Sequence, residues 1–288
     1  MTWIANSNAK INLGLHILER LPTGYHRIET GFCFIEWSDR FEVKESENYR
    51  LRMSEENIPT DNRNLITKAY HAFERYVGLK NHYAFSITKN IPAGAGLGGG
   101  SSNAALTFRI LNKLEKTGLS SEDLIDLSRD LGADIPFFIK GEPGIGTGVG
   151  QDIEPLDIQP DAWILTIYPG FESSTAEAYQ RCRPNPSPDF SIKGVLTEEE
   201  TDQWQYLLQN DLEPAVIASY EMIGNIKDQL IDFGALYACM SGSGSSIFGL
   251  FEQDFVAINA YESFHKLGFA TNLTRPGFKP DMGIYRKD

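Results

Sequence analysis

The chain has 288 residues, of which 41% are hydrophobic and 23% charged, proportions typical of a globular protein with one large domain or two. Its formal net charge of −13 argues against sequence-independent binding to nucleic acid or to an anionic membrane surface. The three cysteines are widely separated, so we expect neither a disulfide framework nor a zinc site. The sequence shows no leader pattern and no apolar run of about 18 residues. We therefore expect a cytoplasmic protein without a membrane span.

The first half of the chain predicts strands separated by turns. Residues 9–18 alternate between polar and apolar, which is the pattern of a half-buried strand, with Ile11, Leu13, Leu15 and Ile17 on one face. A turn at 22–24 leads to a second strand, and "DRFEVKE" at 39–45 is typical of a third. A helix over 64–76, a strand over 83–88 and a helix from about Ser102 to Lys116 follow.

The second half predicts a new strand and several helices. Ser120 and Asp123 form a capping-box pattern that opens a helix, which we expect Gly132 to end. An apolar strand covers 162–169, and helical periodicity extends over 212–233. The composition changes near 150–161, which favours a boundary there and two domains, 1–155 and 156–288. The mixed order of strands and helices predicts an α+β fold.

A glycine-rich segment, "NIPAGAGLGGGSSNAALTFRILNKL" (90–114), is the most informative part of the sequence. It runs directly into a helical pattern, and the N–H groups at a helix N-terminus form an anion site without any cation. The hydroxyls of Ser101 and Ser102 add groups that can bond phosphate oxygens or magnesium. We therefore expect a phosphate-binding loop, although a flexible turn with a serine cap is the simpler alternative.

Three other classes of phosphate loop fit this segment poorly. Gly94, Gly96 and Gly99 satisfy G-x-G-x-x-G, but a dinucleotide fold requires a fully buried parallel strand before the glycines and an acidic residue about 20 positions later. The preceding strand alternates between polar and apolar residues, and Pro92 lies between that strand and the glycines. A P-loop requires a lysine after the glycines, and the H-R-D and D-F-G triplets of protein kinases are missing from the sequence.

Several stretches in the same order resemble the motifs of the GHMP kinases, the superfamily of galactokinase, homoserine kinase and mevalonate kinase. They are "PAGAGLGGGSSNAA" (92–105), "NAKINLGLHILERLPTGYHRIET" (8–30), "LGADIPFFI" (131–139), "NDLEPA" (210–215) and "MSGSGSSIFGLF" (240–251). The resemblance implies a ribosomal-protein-like N-terminal domain and a ferredoxin-like C-terminal domain. The GLGGG sequence and the Gly-Tyr-His triplet resemble the motifs of one branch of this superfamily. Members of that branch transfer the ATP γ-phosphate to the 2-hydroxyl of a diphosphocytidyl methylerythritol.

The resemblance also assigns residues to the binding of ATP and to the chemistry. It implies that the ATP phosphates, carried with Mg²⁺, are bound by Pro92, Ala93, Gly94, Ala95, Gly96, Leu97, Gly98, Gly99, Gly100, Ser101 and Ser102. Asp134 is the candidate to accept the hydroxyl proton, and Lys10 would lie beside it and stabilise negative charge on the transferred phosphoryl group. Asp134 could instead only orient the hydroxyl, Asp is also a common turn residue, and Lys10 could be an exposed lysine on the strand.

Five further residues are implied for the acceptor. Tyr25 would stack on cytosine, His26 would hydrogen-bond its edge, and Tyr179 would cover the other face. Thr175 would contact the methylerythritol or its lysine neighbour, and Asn12 would also bind the acceptor. A hairpin tip at Tyr25 and an inward-packing helix residue at Tyr179 are the structural alternatives. The "SGSGSS" segment (241–246) is expected to brace the phosphate loop from the other domain, or to be a simple turn.

The predicted activity is that of a small-molecule kinase. Two other functions remain open at this level: another GHMP kinase acting on homoserine or mevalonate, and a catalytically silent binding protein of the same fold. The presence of Gly-Tyr-His disfavours the first, and the presence of Lys10 and Asp134 disfavours the second. The sequence identifies neither the magnesium ligands nor the oligomeric state.

Overall fold

The computed structural model describes residues 1–287 and contains two sheets with helices packed against them. The larger sheet has strand order β11-β1-β2-β4-β3, and β5 extends it by pairing with β2 and with β6. Its strands are β1 (Thr2–Arg20), β2 (His26–Ser46), β3 (Arg50–Met53), β4 (His82–Thr88), β5 (Gly144–Thr147), β6 (Asp152–Pro155) and β11 (Tyr285–Lys287). All of its pairs are antiparallel except that of β3 with β4.

The second sheet is antiparallel, with the order β10-β7-β9-β8. Its strands are β7 (Trp163–Tyr168), β8 (Tyr237–Met240), β9 (Ile247–Phe251) and β10 (Ala270–Thr274). Helices separate β7 from β8 and β9 from β10, which gives the βαββαβ order of a ferredoxin-like unit. The predicted α+β class is confirmed.

Ten α-helices complete the described part of the chain. They are α1 (Leu65–Val77), α2 (Gly99–Glu115), α3 (Ser121–Ser128), α4 (Ile135–Lys140), α5 (Thr175–Arg181), α6 (Ile192–Glu198), α7 (Trp204–Leu207), α8 (Glu213–Ile217), α9 (Glu221–Asp232) and α10 (Asp254–Lys266). Among residues 1–287, no helix has both the length and the apolar character that crossing a membrane requires.

Several element boundaries differ from the sequence predictions. The second and third predicted strands are one long strand, β2. The helix that begins at the capping box of Ser120 and Asp123 ends at Ser128, whose hydroxyl donates to Ile125 O, rather than at Gly132. The predicted helix over 212–233 is two helices, because the chain turns at Tyr220, whose ring stacks on another aromatic residue of the same core.

The long β1–β2 hairpin separates two hydrophobic cores. Phe32 and Phe34 of β2 pack in the core beneath α1, α2 and α4, whereas Cys33 and Ile35 face a core shared with the second sheet. Ala9, Ile11 and Leu13 of β1 join the shared core. The other face of β1 was predicted to be exposed, but its Lys10 and Asn12 are buried. The reason is that tertiary packing covers both faces of this strand.

Candidate active site

A cavity of about 450 Å³ brings together residues of the larger sheet, the glycine loop, α5 and the loop between β8 and β9. β1, the turn after it, β2, the residues just before α4 and helix α5 all contribute to the lining. Both predicted catalytic residues and all the predicted acceptor-binding residues line it: Lys10, Asn12, Tyr25, His26, Asp134, Thr175 and Tyr179. Gly96 and Gly98 of the glycine loop border the same cavity. Residues that are far apart in the sequence therefore surround one space.

Lys10 and Asp134 form an ion pair inside this cavity. The Lys10 ammonium lies 3.4 Å from Asp134 Oδ2 and donates a hydrogen bond of 2.5 Å to Asn12 Oδ1. The Lys10 side chain is only 5% exposed, whereas that of Asp134 is 29% exposed. A buried ammonium with its carboxylate partner facing the open space can act on a ligand there. The alternative of an exposed lysine on the strand is wrong.

The local sequence fixes the position of Asp134. It is the residue before α4, and its side chain makes no capping hydrogen bond to that helix. Pro136 lies in the first turn of α4, where a missing N–H costs no helical hydrogen bond. Phe137 stacks on Phe34 with ring centroids 4.5 Å apart, which anchors α4 on β2. The carboxylate is therefore held by its helix while its oxygens remain available for Lys10 and a ligand.

The glycine loop ends in an open helix N-terminus. α2 begins at Gly99, a few residues earlier than predicted, and its first hydrogen bond runs from Ser102 N to Gly98 O. The N–H groups of Gly99, Gly100 and Ser101 precede that bond and have no acceptor within the helix. Their dipoles favour an anion that binds at the N-terminal end of α2. This geometry suits the phosphates of a nucleotide.

The backbone of the loop requires glycine at several positions. Gly94, Gly96 and Gly98 have φ values of +62°, +77° and +67°, a region that residues with a Cβ avoid. At Gly96, a Cβ would also collide with the backbone carbonyl oxygens of Ser241 and Gly244. The glycine density therefore reflects strained φ angles and close backbone packing, rather than flexibility.

Residues 241–246 hold the loop in place, as the sequence predicted. Ser241 Oγ donates to Gly96 O at 2.9 Å, and Ser246 N donates to Ala95 O at 3.0 Å. From β1, Lys10 N donates to Leu97 O at 3.0 Å. The side chains of Ala95 and Leu97 are buried in the shared core. The loop is thus fastened on both sides, and its N–H groups are fixed before any ligand binds.

The two serines after the glycines face different directions. Ser102 is buried, its hydroxyl donates to Asn8 O at 2.7 Å, and it lies 2.6 Å from Ser7 Oγ. This hydroxyl fastens α2 to β1 rather than facing a ligand. Ser101 is partly exposed and lies in the first turn of α2. Pro92, Ala93 and Gly94 form the outer entry to the loop, where Ala93 and Gly94 are exposed.

Aromatic side chains line the mouth of the cavity. Tyr25 is 66% exposed. The rings of His26 and Tyr179 lie 5.1 Å apart and are inclined by 32°. Burial, followed by the positive charge of Arg20, lowers the pKa of His26 below its usual 6.5. Burial, followed by the nearby Asp134 carboxylate, raises the pKa of Tyr179 to about 12. Both rings are therefore uncharged at neutral pH.

Thr175 lies at the rim of the same cavity. It is the first residue of α5, which Ser174 caps. Its hydroxyl lies 2.7 Å from the hydroxyl of Ser243, in the segment that braces the glycine loop. Thr175 therefore contacts the segment that braces the glycine loop and also lines the cavity.

Three features around the site were not found from the sequence. Thr30 on β2 is fully buried and accepts a hydrogen bond of 2.9 Å from Asn12 Nδ2. The side chain of Glu172 lies against Gly94. Lys89 and Asp39 form a buried pair at 2.5 Å beneath the start of the loop. Lys89 directly precedes the glycine motif, but only the pairing of β2 with β4 brings it to its partner.

Comparisons with known proteins agree with this geometry. A family model described as "GHMP kinases N terminal domain" matches residues 64–142. A second, described as "GHMP kinases C terminal", matches residues 196–269. The two matched regions contain the glycine loop, Asp134 and the bracing segment.

Curated relatives match nearly the full chain. A 4-diphosphocytidyl-2-C-methyl-D-erythritol kinase of Chloroherpeton thalassium is 37% identical over 97% of this chain and 99% of its own length. A protein of the same name from Chlorobium phaeobacteroides is 38% identical over 94% of this chain and 96% of its own.

Solved structures show the same fold. A crystal structure of 4-(cytidine 5′-diphospho)-2C-methyl-D-erythritol kinase has a TM-score of 0.80 and 29% identity, covering 94% of this chain and 98% of that one. A homoserine kinase from Cytophaga hutchinsonii has a TM-score of 0.71 at 16% identity, covering 99% of this chain and 97% of that one, which shows similarity of fold alone.

Proposed function

The chain belongs to the GHMP kinase family, and on that basis we propose that it transfers the γ-phosphate of ATP to the 2-hydroxyl of 4-diphosphocytidyl-2-C-methyl-D-erythritol. The observation that carries this proposal is the cavity in which the Lys10–Asp134 pair lies between the glycine loop and the aromatic mouth. One end of the cavity suits a triphosphate, the other suits a planar base, and the ionised pair lies between them.

The donor end binds ATP through backbone groups. The N–H groups at the start of α2 face the phosphates, and Gly96 and Gly98 allow the backbone to approach them. Mg²⁺ accompanies ATP and would neutralise charge on its phosphate oxygens. Carboxylate and hydroxyl oxygens suit this ion, and Glu172 and Ser101 are the residues at the loop that carry them.

The chemistry is carried by Lys10 and Asp134. Phosphoryl transfer depends mainly on positioning and on charge stabilisation. Asp134 accepts the proton of the acceptor hydroxyl, because its carboxylate is exposed to the cavity and is not used in a helix cap. The Lys10 ammonium stabilises the negative charge that develops on the transferred group, and burial strengthens this interaction.

The acceptor end selects a cytidine. Tyr25 and Tyr179 provide the aromatic faces, while the neutral His26 can accept or donate a hydrogen bond at the edge of the base. Asn12 and Thr175 contact the polyol close to the Lys10–Asp134 pair. A site that hydrogen-bonds one base rejects others strongly, because its polar groups are then left unpaired.

The remaining assignments follow from this function. We place the division between the domains at 155/156, in the segment between β6 and β7, and the reaction in the cytoplasm, where ATP is available. The partners are ATP and the small cytidyl acceptor.

An ATP-consumption assay tests the proposal. The purified chain is supplied with MgATP and, in separate reactions, with the cytidyl acceptor, homoserine and mevalonate. We expect turnover with the cytidyl acceptor and only background with the other two. Turnover with homoserine or mevalonate alone would assign the chain to a different kinase of the family. Background with every acceptor, from protein that binds ATP, would identify a silent binding protein.

A further inference from the structure

A buried hydroxyl is connected to the Lys10–Asp134 pair through Asn12 without facing the cavity. Thr30 is 0% exposed and lies on β2 opposite the bulge that β1 makes at Gly14. Its Oγ1 donates to Gly14 O at 2.6 Å and accepts from Asn12 Nδ2 at 2.9 Å. Thr30 does not line the cavity, whereas Asn12 does. The amide of Asn12 therefore links the buried hydroxyl to the cavity.

The hydrogen bonds of Thr30 permit only one orientation of the Asn12 amide. Gly14 O is a carbonyl and only accepts, so the Thr30 hydroxyl proton is used there, and Oγ1 is left to accept from Asn12. The NH₂ group of Asn12 must therefore face Thr30. Its Oδ1 then faces the ammonium of Lys10, which can only donate hydrogen bonds. The contacts at the two ends of the amide therefore require the same orientation.

The backbone of Asn12 is fixed independently. Asn12 N donates to Ser241 Oγ at 3.2 Å, and the same hydroxyl donates to the glycine loop. Rotation of the side-chain amide is thus the freedom that remains at this residue. With its oxygen toward Lys10, Asn12 competes with Asp134 for the ammonium. The result is a short contact of Lys10 with Asn12, at 2.5 Å, and a looser one of 3.4 Å with Asp134.

We propose that Thr30 is a positioning residue for phosphoryl transfer: its hydroxyl sets the amide of Asn12, which holds the Lys10 ammonium away from full pairing with Asp134. Without the hydroxyl, the amide keeps its oxygen toward Lys10, but its NH₂ group loses the acceptor that anchors it to β2. The amide can then shift together with the ammonium, which moves onto Asp134. A fully paired carboxylate is a poorer acceptor for the substrate proton. The inference rests on the proposed function, because it concerns the same pair of residues.

The test compares Thr30→Val, which keeps the shape of the side chain but removes the hydroxyl, with Thr30→Ser, which keeps the hydroxyl. Thr30→Val is expected to lower kcat for the cytidyl acceptor by about tenfold or more, with the KM for ATP within about twofold of wild type. Thr30→Ser is expected to restore most of kcat. Thr166→Val is the matched control, since Thr166 is also 0% exposed on a strand but its hydroxyl has no partner among residues 1–287.

Two further measurements separate positioning from a general loss of structure. In an Asn12→Ala background, Thr30→Val should change kcat by no more than about twofold, because the route through the amide is already missing. A crystal structure of Thr30→Val should show Lys10 Nζ within about 2.9 Å of Asp134, the distance of a charge-assisted hydrogen bond. That readout needs no turnover, so it remains valid if the wild-type chain phosphorylates a different acceptor.

Three results would overturn the proposal. They are a kcat of Thr30→Val close to wild type, an equal loss in Thr30→Ser, and an undiminished loss in the Asn12→Ala background. If Thr30→Val does not fold, the kcat of Thr30→Ser and the crystal structure of Asn12→Ala test the proposal instead. An unchanged Lys10–Asp134 distance in Asn12→Ala would then contradict the positioning role.

Discussion

The ammonium of Lys10 lies 3.4 Å from the carboxylate of Asp134, and it lies still closer to the amide oxygen of Asn12. The lysine comes from the middle of a buried strand, and the aspartate from the start of a short helix. The pair occupies the space between the glycine loop that leads into α2 and an aromatic mouth. This position makes both residues the first targets for mutation.

Asp134→Asn should nearly abolish turnover without loss of ATP binding. The amide has almost the same shape but cannot accept the hydroxyl proton, so kcat should fall by about 10²–10⁴-fold. Steady-state kinetics with the cytidyl acceptor and calorimetry with MgATP measure the two quantities. Asp126→Asn, an exposed aspartate paired with Arg129, is the control and should behave as wild type. Near-normal kcat in Asp134→Asn would remove the proton-accepting role.

Lys10→Met should lower kcat by about 10²–10³-fold, because the charge that stabilises the transferred phosphoryl group is lost. Methionine keeps most of the apolar carbons of the lysine side chain and loses the ammonium, which lies 5.2 Å from the centre of the Phe32 ring. The thermal midpoint should therefore change much less than the rate. The same substitution at the exposed Lys44 controls for loss of charge alone. A variant that keeps its rate but binds ATP poorly would assign Lys10 to ATP binding instead.

Tyr25→Ala should weaken binding of the acceptor and leave kcat nearly unchanged. Stacking of an aromatic ring on a base contributes about 1–3 kcal/mol, which predicts a KM raised by about tenfold or more. Tyr76 is a fitting control, because it is 60% exposed, against 66% for Tyr25, and lies at the far end of α1. An unchanged KM in Tyr25→Ala would exclude the stacking role.

Gly96→Ala should destabilise the protein more than Gly118→Ala. Both glycines have positive φ, +77° and +71°, so each substitution introduces about 1–2 kcal/mol of backbone strain. At Gly118 an added Cβ meets no atom within 4 Å, whereas at Gly96 it collides with the carbonyl oxygens of the bracing segment. Denaturant unfolding gives the difference, and the KM for ATP should rise in Gly96→Ala alone. Equal destabilisation of the two variants would mean that residues 241–246 can move to accommodate the added Cβ.

His26 should titrate below 6.5, and acceptor binding should weaken as the pH falls through that pKa. The shift arises from burial first and Arg20 second. Because the folded state disfavours the imidazolium, the stabilising contribution of His26 is present above the unfolded pKa and is lost as the pH falls through the folded one. Arg20→Gln should raise the pKa, as measured by NMR titration. Arg27→Gln, in an exposed pair with Glu19, should not.

A large part of the candidate site was predictable because its signals are local. The glycine loop followed by a helical pattern predicts a phosphate site, and the short motifs around Lys10, Tyr25 and Asp134 lie in the cavity, as the family resemblance implied. Helix and strand types were predicted well where the periodicity was strong. Boundaries were less accurate, since strand β2 and the break at Tyr220 depend on packing against distant residues.

The sequence by itself determined the groups available to this protein: a glycine loop that runs into a helix, one lysine, one aspartate and a group of aromatic residues. Only the tertiary structure decided which of these groups are free to act. It buried Lys10 on a strand predicted to be half-exposed, tied the hydroxyl of Ser102 to Asn8, and placed Thr30 behind Asn12. The physical reason is that hydrogen-bond direction and burial depend on contacts across strands and between domains. Such contacts leave no periodic signal in the chain.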